Sequence, residues 1–122
     1  MSDSDMIDRE ELLQRCLGDA EFARQMLWVF CESAQKTVPA LTQAWEQGDW
    51  DQVRRSAHTL KGSAGNLSIP ELRSQAQEVE QLVDQSEVEE LKARKDGFMD
   101  CLNRSIRSAE LLAARLMAES RF

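Results

Sequence analysis

Apolar residues recur at steps of three and four along most of the chain, which is the spacing of amphipathic helices. The clearest run consists of Trp50, Val53, Ala57, Leu60, Ala64 and Leu67. No segment alternates between apolar and polar residues at every second position, as a half-buried strand does. The pattern therefore predicts an all-α protein whose central helix, at residues 49–67, is capped by Asp49 and Gln52 and packs along one side.

A short first helix is predicted between Asp8 and Gly18. Asp8 and Glu11 have the spacing of a capping box, and Ile7 is placed to act as a hydrophobic staple. Gly18 suits the C′ position that ends a helix, because glycine adopts the left-handed backbone conformation without steric cost. The apolar side of this helix would consist of Leu12, Leu13, Cys16 and Leu17.

The second helix is predicted to begin after Asp19, an N-cap, and to end at Gly48. Pro39 either kinks or breaks it, because proline lacks an N–H and clashes with the preceding turn. Trp28 lies off the main stripe and either packs against the first helix or belongs to a docking surface. A broad apolar face, expected to be deeply buried, consists of Phe22, Ala23, Met26, Leu27, Val29, Phe30 and Ala34.

Two further helices follow the central one. Ser68 and Glu71 have capping-box spacing, with Pro70 in the first turn. A loop near residues 84–87 then leads into a long last helix. Four long helices with short connections predict an antiparallel four-helix bundle, with the short N-terminal helix over one end. We expect this domain to cover residues 7–120, after a disordered tail at residues 1–6.

One face of the central helix carries the candidate chemistry. Arg54, His58, Lys61, Gly62 and Gly65 follow one another at helical spacing beside the apolar stripe. Each glycine costs about 1 kcal/mol relative to alanine within a helix, and its benefit would be close access for another molecule. A neutral imidazole is a nucleophile, and a nearby lysine stabilises developing negative charge. An ordinary surface histidine is the alternative.

Composition and charge limit the classes of function. A chain of 122 residues with 42% hydrophobic residues suits one domain with a real core. Its net charge of −7 argues against nucleic acid as a partner, and no apolar run is long enough for a membrane span. Three widely spaced cysteines fit neither a zinc site nor a disulfide framework, so we expect reduced thiols and a cytoplasmic protein.

The basic residues of the central region lie close to the histidine. Between Thr37 and Leu72 they are Arg54, Arg55 and Lys61. The stretch from residue 74 to residue 91 is acidic and has no lysine or arginine. A small basic area on an acidic protein suits a phosphoryl group better than a long polyanion.

Residues 57–65, with the sequence AHTLKGSAG, resemble the signature of histidine-containing phosphotransfer (HPt) domains, the relay modules of two-component phosphorelays. The resemblance extends to Gly18, Asp19 and Phe22, to Asp49, and to the stretch at residues 72–80. It covers residues 8–118. Ser68 departs from the pattern, because many members of the family have a glycine there.

The resemblance implies that His58 accepts a phosphoryl group from an aspartate of a receiver domain and passes it to another receiver domain. The expected partners are response-regulator receiver domains and a sensor or hybrid histidine kinase. Magnesium would be held by the receiver, so no cofactor and no metal site are expected in this chain, which we expect to be a monomer. Lys61 would assist the transfer, and the docking residues would be Arg54, Arg55, Gly62 and Gly65.

Glu80 is the candidate for orienting the imidazole. In the HPt domains that this chain resembles, a carboxylate or amide 22 residues after the histidine bonds its Nδ1 atom. The antiparallel hairpin makes the same pairing sensible here, since His58 lies about ten residues before the turn and Glu80 about eleven after it, at ~1.5 Å rise per residue. One more surface acid is the alternative.

Other functions are less consistent with the sequence. A P-loop, a glycine-rich nucleotide loop and the kinase ATP-binding elements are all missing, which argues against an enzyme in its own right. The dimerisation helix of a sensor kinase also carries a histidine, but usually with an acid next and a proline five residues on, where this chain has Thr59 and Ser63. A non-catalytic bundle that binds a protein partner remains an alternative.

Overall fold

The structure, a computed structural model, describes residues 6–119, which form helices joined by short connections and contain no strand. Its helices are α1 (Arg9–Arg15), α2 (Ala20–Gln47), α3 (Trp50–Leu67), α4 (Pro70–Asp84) and α5 (Val88–Glu119). The prediction of an all-α chain with four long helices and one short N-terminal helix is confirmed.

Helices α2 to α5 form a four-helix bundle. Each of them packs against two neighbours, in the order α2, α3, α4, α5 and back to α2, while α1 lies against α2 and α3. The short connections at residues 48–49, 68–69 and 85–87 make successive helices antiparallel. The largest fully buried side chains of the core include Leu27, Leu41, Val53, Leu72, Phe98 and Leu102.

Three aspartates begin three of the helices as expected, although Glu11 does not complete the predicted capping box, because the N–H of Asp8 donates to the carbonyl of Ser68 instead. The side chains of Asp8, Asp19 and Asp49 each accept a hydrogen bond from the backbone N–H three residues further on. Such a cap satisfies one of the N–H groups that have no partner within the helix, and its removal typically costs about 1 kcal/mol. Gly48, with a φ of +70°, ends α2 at the predicted position.

Ser68 does not cap α4, which corrects the expected capping box. It lies in the left-handed region at the end of α3, with a φ of +59°, and the N-cap of α4 is Ile69, whose side chain makes no capping bond. The hydroxyl of Ser68 instead donates to Glu11 on α1 at 3.0 Å, and its carbonyl accepts from the N–H of Asp8 at 2.9 Å. Ser68 thus ties α1 to the α3–α4 connection.

The end of α1 also differs from the prediction. The helix stops at Arg15, and Leu17 rather than Gly18 is the C′ residue, with a φ of +56°. Gly18 follows as C″, and its N–H donates to the carbonyl of Leu13 at 2.8 Å, as in a Schellman motif. Because Leu17 lies beyond the last helical turn, it leaves the apolar stripe and is 94% exposed.

Helix α2 is less deeply buried than its apolar face suggested. Phe22 and Val29 are 49% and 62% exposed. Trp28 is 60% exposed and borders a hollow beside α5, so the first of its two interpretations, packing against α1, is wrong. The physical reason is size, since a seven-residue α1 spans only about 10 Å and cannot cover α2. The helix continues through Pro39, which excludes a break there.

The predicted N-terminal tail falls mainly outside the described part of the chain. Residues 1–5 are not described, whereas Met6 and Ile7 are buried in the core. The described fold therefore begins at Met6. No helix within residues 6–119 is long and apolar enough to span a membrane.

Candidate functional site

Helix α3 presents His58 on the outside of the bundle. Its neighbours Ala57 and Leu60 are buried, whereas the His58 side chain is 66% exposed. The Nδ1 atom of the ring lies 3.3 Å from Oε2 of Glu80 on α4. This contact leaves the opposite nitrogen, Nε2, available to an approaching molecule.

The carboxylate of Glu80 is buried beneath the imidazole and has cations on both sides. Its side chain is only 8% exposed, and a buried charge requires partners. The ammonium group of Lys61 lies 2.9 Å from Oε1, and the guanidinium of Arg54 lies 3.9 Å from Oε2. Two residues of the predicted site, His58 and Lys61, therefore converge on the third.

The charge state of Glu80 decides what the histidine can do. Burial acts to raise the pKa of Glu80, but the hydrogen bonds and charges of Lys61 and His58 outweigh it and hold this pKa below its usual value. Glu80 is thus an ionised carboxylate at neutral pH and can only accept. The Nδ1 atom must then carry the proton of the contact, so a neutral His58 has its lone pair on Nε2.

Arg54 lies beside Glu80 but donates its hydrogen bonds to Asp84. Its Nε and Nη2 atoms donate to the two carboxylate oxygens of Asp84 at 2.7 and 3.3 Å. The hydrogen bond from Arg54 is the main reason why the pKa of Asp84 is lowered. The charge of Arg54 is therefore engaged within the domain.

Arg55 lies on a different side of α3. Its guanidinium donates to the side chain of Gln52 at 3.1 Å, and it borders the groove between α2 and α3 together with Thr59. Arg54 and Arg55 are adjacent in the sequence, but a helix directs neighbouring side chains about 100° apart. The two predicted docking cations are consequently not one patch.

The two glycines leave open space beside His58. A Cβ atom built on Gly62 would meet no atom within 4 Å, and one on Gly65 would meet only the Arg73 side chain, at 3.8 Å from Nε. Both line a shallow pocket of about 340 Å³, together with His58 and Lys61. The glycines thus provide the clearance that the sequence predicted.

Two arginines that the sequence analysis missed complete this pocket. Arg15 comes from the end of α1, and Arg73 comes from the first turn of α4. The sequence did hold a signal for Arg73. Gly65 and Arg73 are each seven residues nearer to the hairpin turn than His58 and Glu80, so the register that pairs His58 with Glu80 also pairs Gly65 with Arg73.

An exposed apolar surface on α2 is the second feature that the sequence analysis missed. Phe22 and Val29 flank a groove of about 360 Å³ between α2 and α3, which Ser63 of α3 also lines. Asn66 of α3 lines both this groove and the pocket beside His58, so the two hollows adjoin. The available signal was the number of apolar positions on α2, which is larger than one packed stripe requires.

The described residues contain no cluster of three or more histidine, cysteine, aspartate or glutamate side chains suited to hold a metal ion. The arrangement supplies a nucleophilic nitrogen, a carboxylate that orients it, a lysine within reach of negative charge, and an open approach. These elements suit the transfer of a phosphoryl group between two proteins.

Comparisons with known proteins agree on one family. A family model for the Hpt domain matches residues 25–116. The sensory/regulatory protein RpfC of Xanthomonas campestris pv. campestris, in two strains, is 34% identical over 107 residues, which covers 79% of this chain and 14% of that protein. The HPT domain from the Hpt sensor hybrid histidine kinase of Shewanella has a TM-score of 0.82 at 20% identity, covering 90% of this chain and 95% of that one.

Proposed function

The chain belongs to the Hpt domain family, and we propose that it is a phosphorelay intermediate which carries a phosphoryl group on His58 from one receiver domain to another. The observation that carries this proposal is the contact of Nδ1 with the ionised Glu80. It holds the imidazole in the tautomer whose free lone pair is on the exposed nitrogen.

The transfer step follows from this geometry. The Nε2 lone pair of neutral His58 attacks the phosphorus of a phosphoaspartate, the phosphorus–oxygen bond to the aspartate breaks, and the aspartate leaves as a carboxylate. The ring then bears the phosphoryl group on Nε2 and the original proton on Nδ1, so it is cationic and is stabilised by Glu80. The reverse reaction, with a second receiver aspartate as nucleophile, passes the group on.

Lys61 assists the step through charge. Its ammonium group lies beside Glu80 one turn from His58, within a flexible side chain's reach of phosphoryl oxygens on Nε2. Because transfer through a loose transition state leaves charge on those oxygens, a nearby cation favours it. The buried carboxylate limits this effect by keeping Lys61 partly engaged.

The receiver would dock over the exposed surface beside His58. Phe22 and Val29 offer an apolar area on α2, and Gly62 leaves room for a partner's backbone to approach α3. An exposed apolar area close to polar chemistry is typical of a protein–protein contact site. Docking there would bring the phosphoaspartate to the exposed nitrogen of His58.

The phosphoryl group would originate outside the described domain, in a sensor or hybrid histidine kinase of the cytoplasm. This chain spans 14% of the length of the curated relatives that it matches. The kinase and receiver activities of such longer proteins are proposed as the source and the destination of the group on His58. The domain itself would act as a monomeric relay rather than as a kinase.

The test is a phosphotransfer profile. Each receiver domain of the source organism is phosphorylated by its kinase with radiolabelled ATP and mixed with the wild-type chain or with the His58→Gln variant. We expect label on the wild type, lost in acid and stable in alkali as for an N–P bond, and none on the variant. A receiver that binds without labelling the wild type would support the adaptor function instead.

A further inference from the structure

Arg73 differs from most arginines of the described chain. Carboxylates within 4 Å accompany Arg9, Arg15, Arg24, Arg54, Arg94 and Arg104. Within residues 6–119, by contrast, the Arg73 side chain has neither a hydrogen bond nor an ion pair. Its side chain lies across Gly65, where a Cβ atom would be 3.8 Å from Nε. In a protein of net charge −7, an exposed arginine without a protein partner beside the proposed phosphorylation site is available to an external anion.

Arg15 faces the same pocket and has donors to spare. Only its Nε atom is engaged, with Oε1 of Glu11 at 3.3 Å. That oxygen also accepts a hydrogen bond from the hydroxyl of Ser68 at 3.0 Å, so Arg15 and Ser68 share this acceptor. A guanidinium has five donors in a fixed fork, and the terminal ones of Arg15 remain for another acceptor.

The distance from His58 decides which anion this is. Arg73 lies level with Gly65, seven residues and about 10 Å along α3 from His58. A cation that stabilises a phosphoryl group must approach its oxygens to within about 3 Å. With its Nε over Gly65, Arg73 lies about two helical turns from His58, whereas Lys61 lies one turn away and is the nearer cation for the group on Nε2. The anion at Arg73 is a second one, on the same partner that covers the pocket.

We propose that Arg73 and Arg15 bind a carboxylate side chain of the receiver domain that docks on His58. This inference rests on the proposed relay function and names a contact of the same surface. The pocket of about 340 Å³ runs from His58 to both arginines, so one partner covers both ends of it. The guanidinium fork matches a carboxylate in two parallel hydrogen bonds.

Such a contact would select among receivers. The acidic body of this domain repels acidic partners in general, and the basic end of the pocket is an exception to that repulsion. A receiver with an aspartate or glutamate at the matching position gains an ion pair, whereas one with a lysine there meets like charge. The contact thus adds specificity to a surface whose apolar part is compatible with many receivers.

The experiment separates binding from chemistry. The receiver domain with the fastest transfer to the wild-type chain is titrated with wild type, Arg73→Gln, Arg15→Gln and the control Arg115→Gln, an exposed arginine on α5. We expect Kd to rise about five- to tenfold for Arg73→Gln, less for Arg15→Gln and not for Arg115→Gln, with a weaker salt dependence. The transfer rate at saturating receiver should stay at the wild-type value.

Two results would overturn the inference. One is a Kd for Arg73→Gln equal to that of Arg115→Gln. The other is a lower saturating rate at an unchanged Kd, which would place Arg73 in the chemistry of the phosphoryl group. If the wild-type chain takes no label on His58, the proposed relay function itself fails, whereas a labelled wild type with an unaffected Arg73→Gln variant refutes this contact alone.

Discussion

Nδ1 of His58 and Oε2 of Glu80 lie 3.3 Å apart across two antiparallel helices, although 22 residues separate them in the sequence. The same carboxylate has Lys61 at 2.9 Å from its other oxygen. Glu80 therefore joins the proposed nucleophile to the cation that we propose assists it. The contact with Glu80 of α4 orients the imidazole through Nδ1, while the rest of the ring is largely exposed to solvent.

Replacement of Glu80 by alanine should release the imidazole from this orientation. We expect phosphoryl acceptance to slow about tenfold or more without being abolished, in line with the loss of other orienting partners of histidine. The ¹⁵N chemical shifts of the ring should change from the values of a single tautomer to the averaged values of a mixture of both. Glu78→Ala, which removes an acid of the same helix that pairs with Arg94, is the control. Wild-type rates and shifts in Glu80→Ala would falsify the orienting role.

The lowered pKa of Glu80 predicts a pH dependence of stability. A carboxyl group with a lower pKa in the folded chain binds fewer protons there than in the unfolded chain, so its contribution is present above the unfolded pKa of about 4.3. It is lost as the pH falls through the folded pKa. The difference in unfolding free energy between wild type and Glu80→Gln should decline on acidification, as urea titrations can measure. A constant difference down to pH values well below about 4 contradicts this reasoning.

Bulky residues at the two glycines should affect transfer more than stability. Alanine at Gly62 meets open space and should stabilise the helix by about 0.5–1 kcal/mol. Leucine at Gly62 or Gly65 should slow transfer from a receiver, and at Gly65 it should also displace Arg73. Thermal unfolding and transfer rates measure the two effects separately. Unchanged rates with both leucines would show that the receiver approaches elsewhere.

The exposed apolar residues of α2 should contribute to docking. Phe22→Ser and Val29→Ser should each weaken receiver binding severalfold, since about half of each side chain is free to be covered by a partner. Their effect on unfolding free energy should be small. Trp28→Ser is the matched control, because Trp28 is equally exposed but borders the α2–α5 side. An equal loss of affinity in all three variants would argue against a localised docking surface.

Glycine and alanine at Ser68 should change the free energy of unfolding by different amounts. Glycine relieves the cost of a left-handed backbone but removes the hydroxyl bond to Glu11, two effects of about 1 kcal/mol each that nearly cancel. Alanine removes the bond and keeps the backbone cost, so Ser68→Ala should be less stable than Ser68→Gly by about 1 kcal/mol. The free energies of unfolding of the two variants, measured by urea titration, test this difference. Equal stabilities would mean that the backbone conformation at this position carries no cost.

The sequence specified the features that depend on local contacts. The aspartate caps at positions 8, 19 and 49 and the helical stripes rest on residues within a few positions of each other, and the structure has them as predicted. The pairing of His58 with Glu80 was implied by the family resemblance, and a helical hairpin with a short turn brings the two residues level. Even a contact between helices is predictable when a tight connection fixes the register.

The features that the sequence left open depend on what covers a surface. A stripe of apolar residues indicates which side chains can be buried, but Phe22 and Val29 remain exposed because no helix packs over them. The same holds for Arg73. Its lack of a carboxylate partner depends on which side chains α1, α3 and α4 bring to the pocket that it lines. Ser68 shows a further limit, since its spacing to Glu71 suited a cap while the backbone required a left-handed turn.

The hairpin of α3 and α4 has a consequence for the order in which the chain folds. His58 and Glu80 close a loop of 22 residues, and Arg54 and Asp84 close one of 30 residues. The contact from the Sγ of Cys31 on α2 to the carbonyl of Ile106 on α5, which lies in the α2–α5 seam where these two helices pack, spans 75 residues. Because the entropic cost of closing a loop grows with its length, the contacts around the imidazole form more readily than the α2–α5 seam. We expect amide hydrogens along that seam to exchange with solvent in partial openings that leave the hairpin intact.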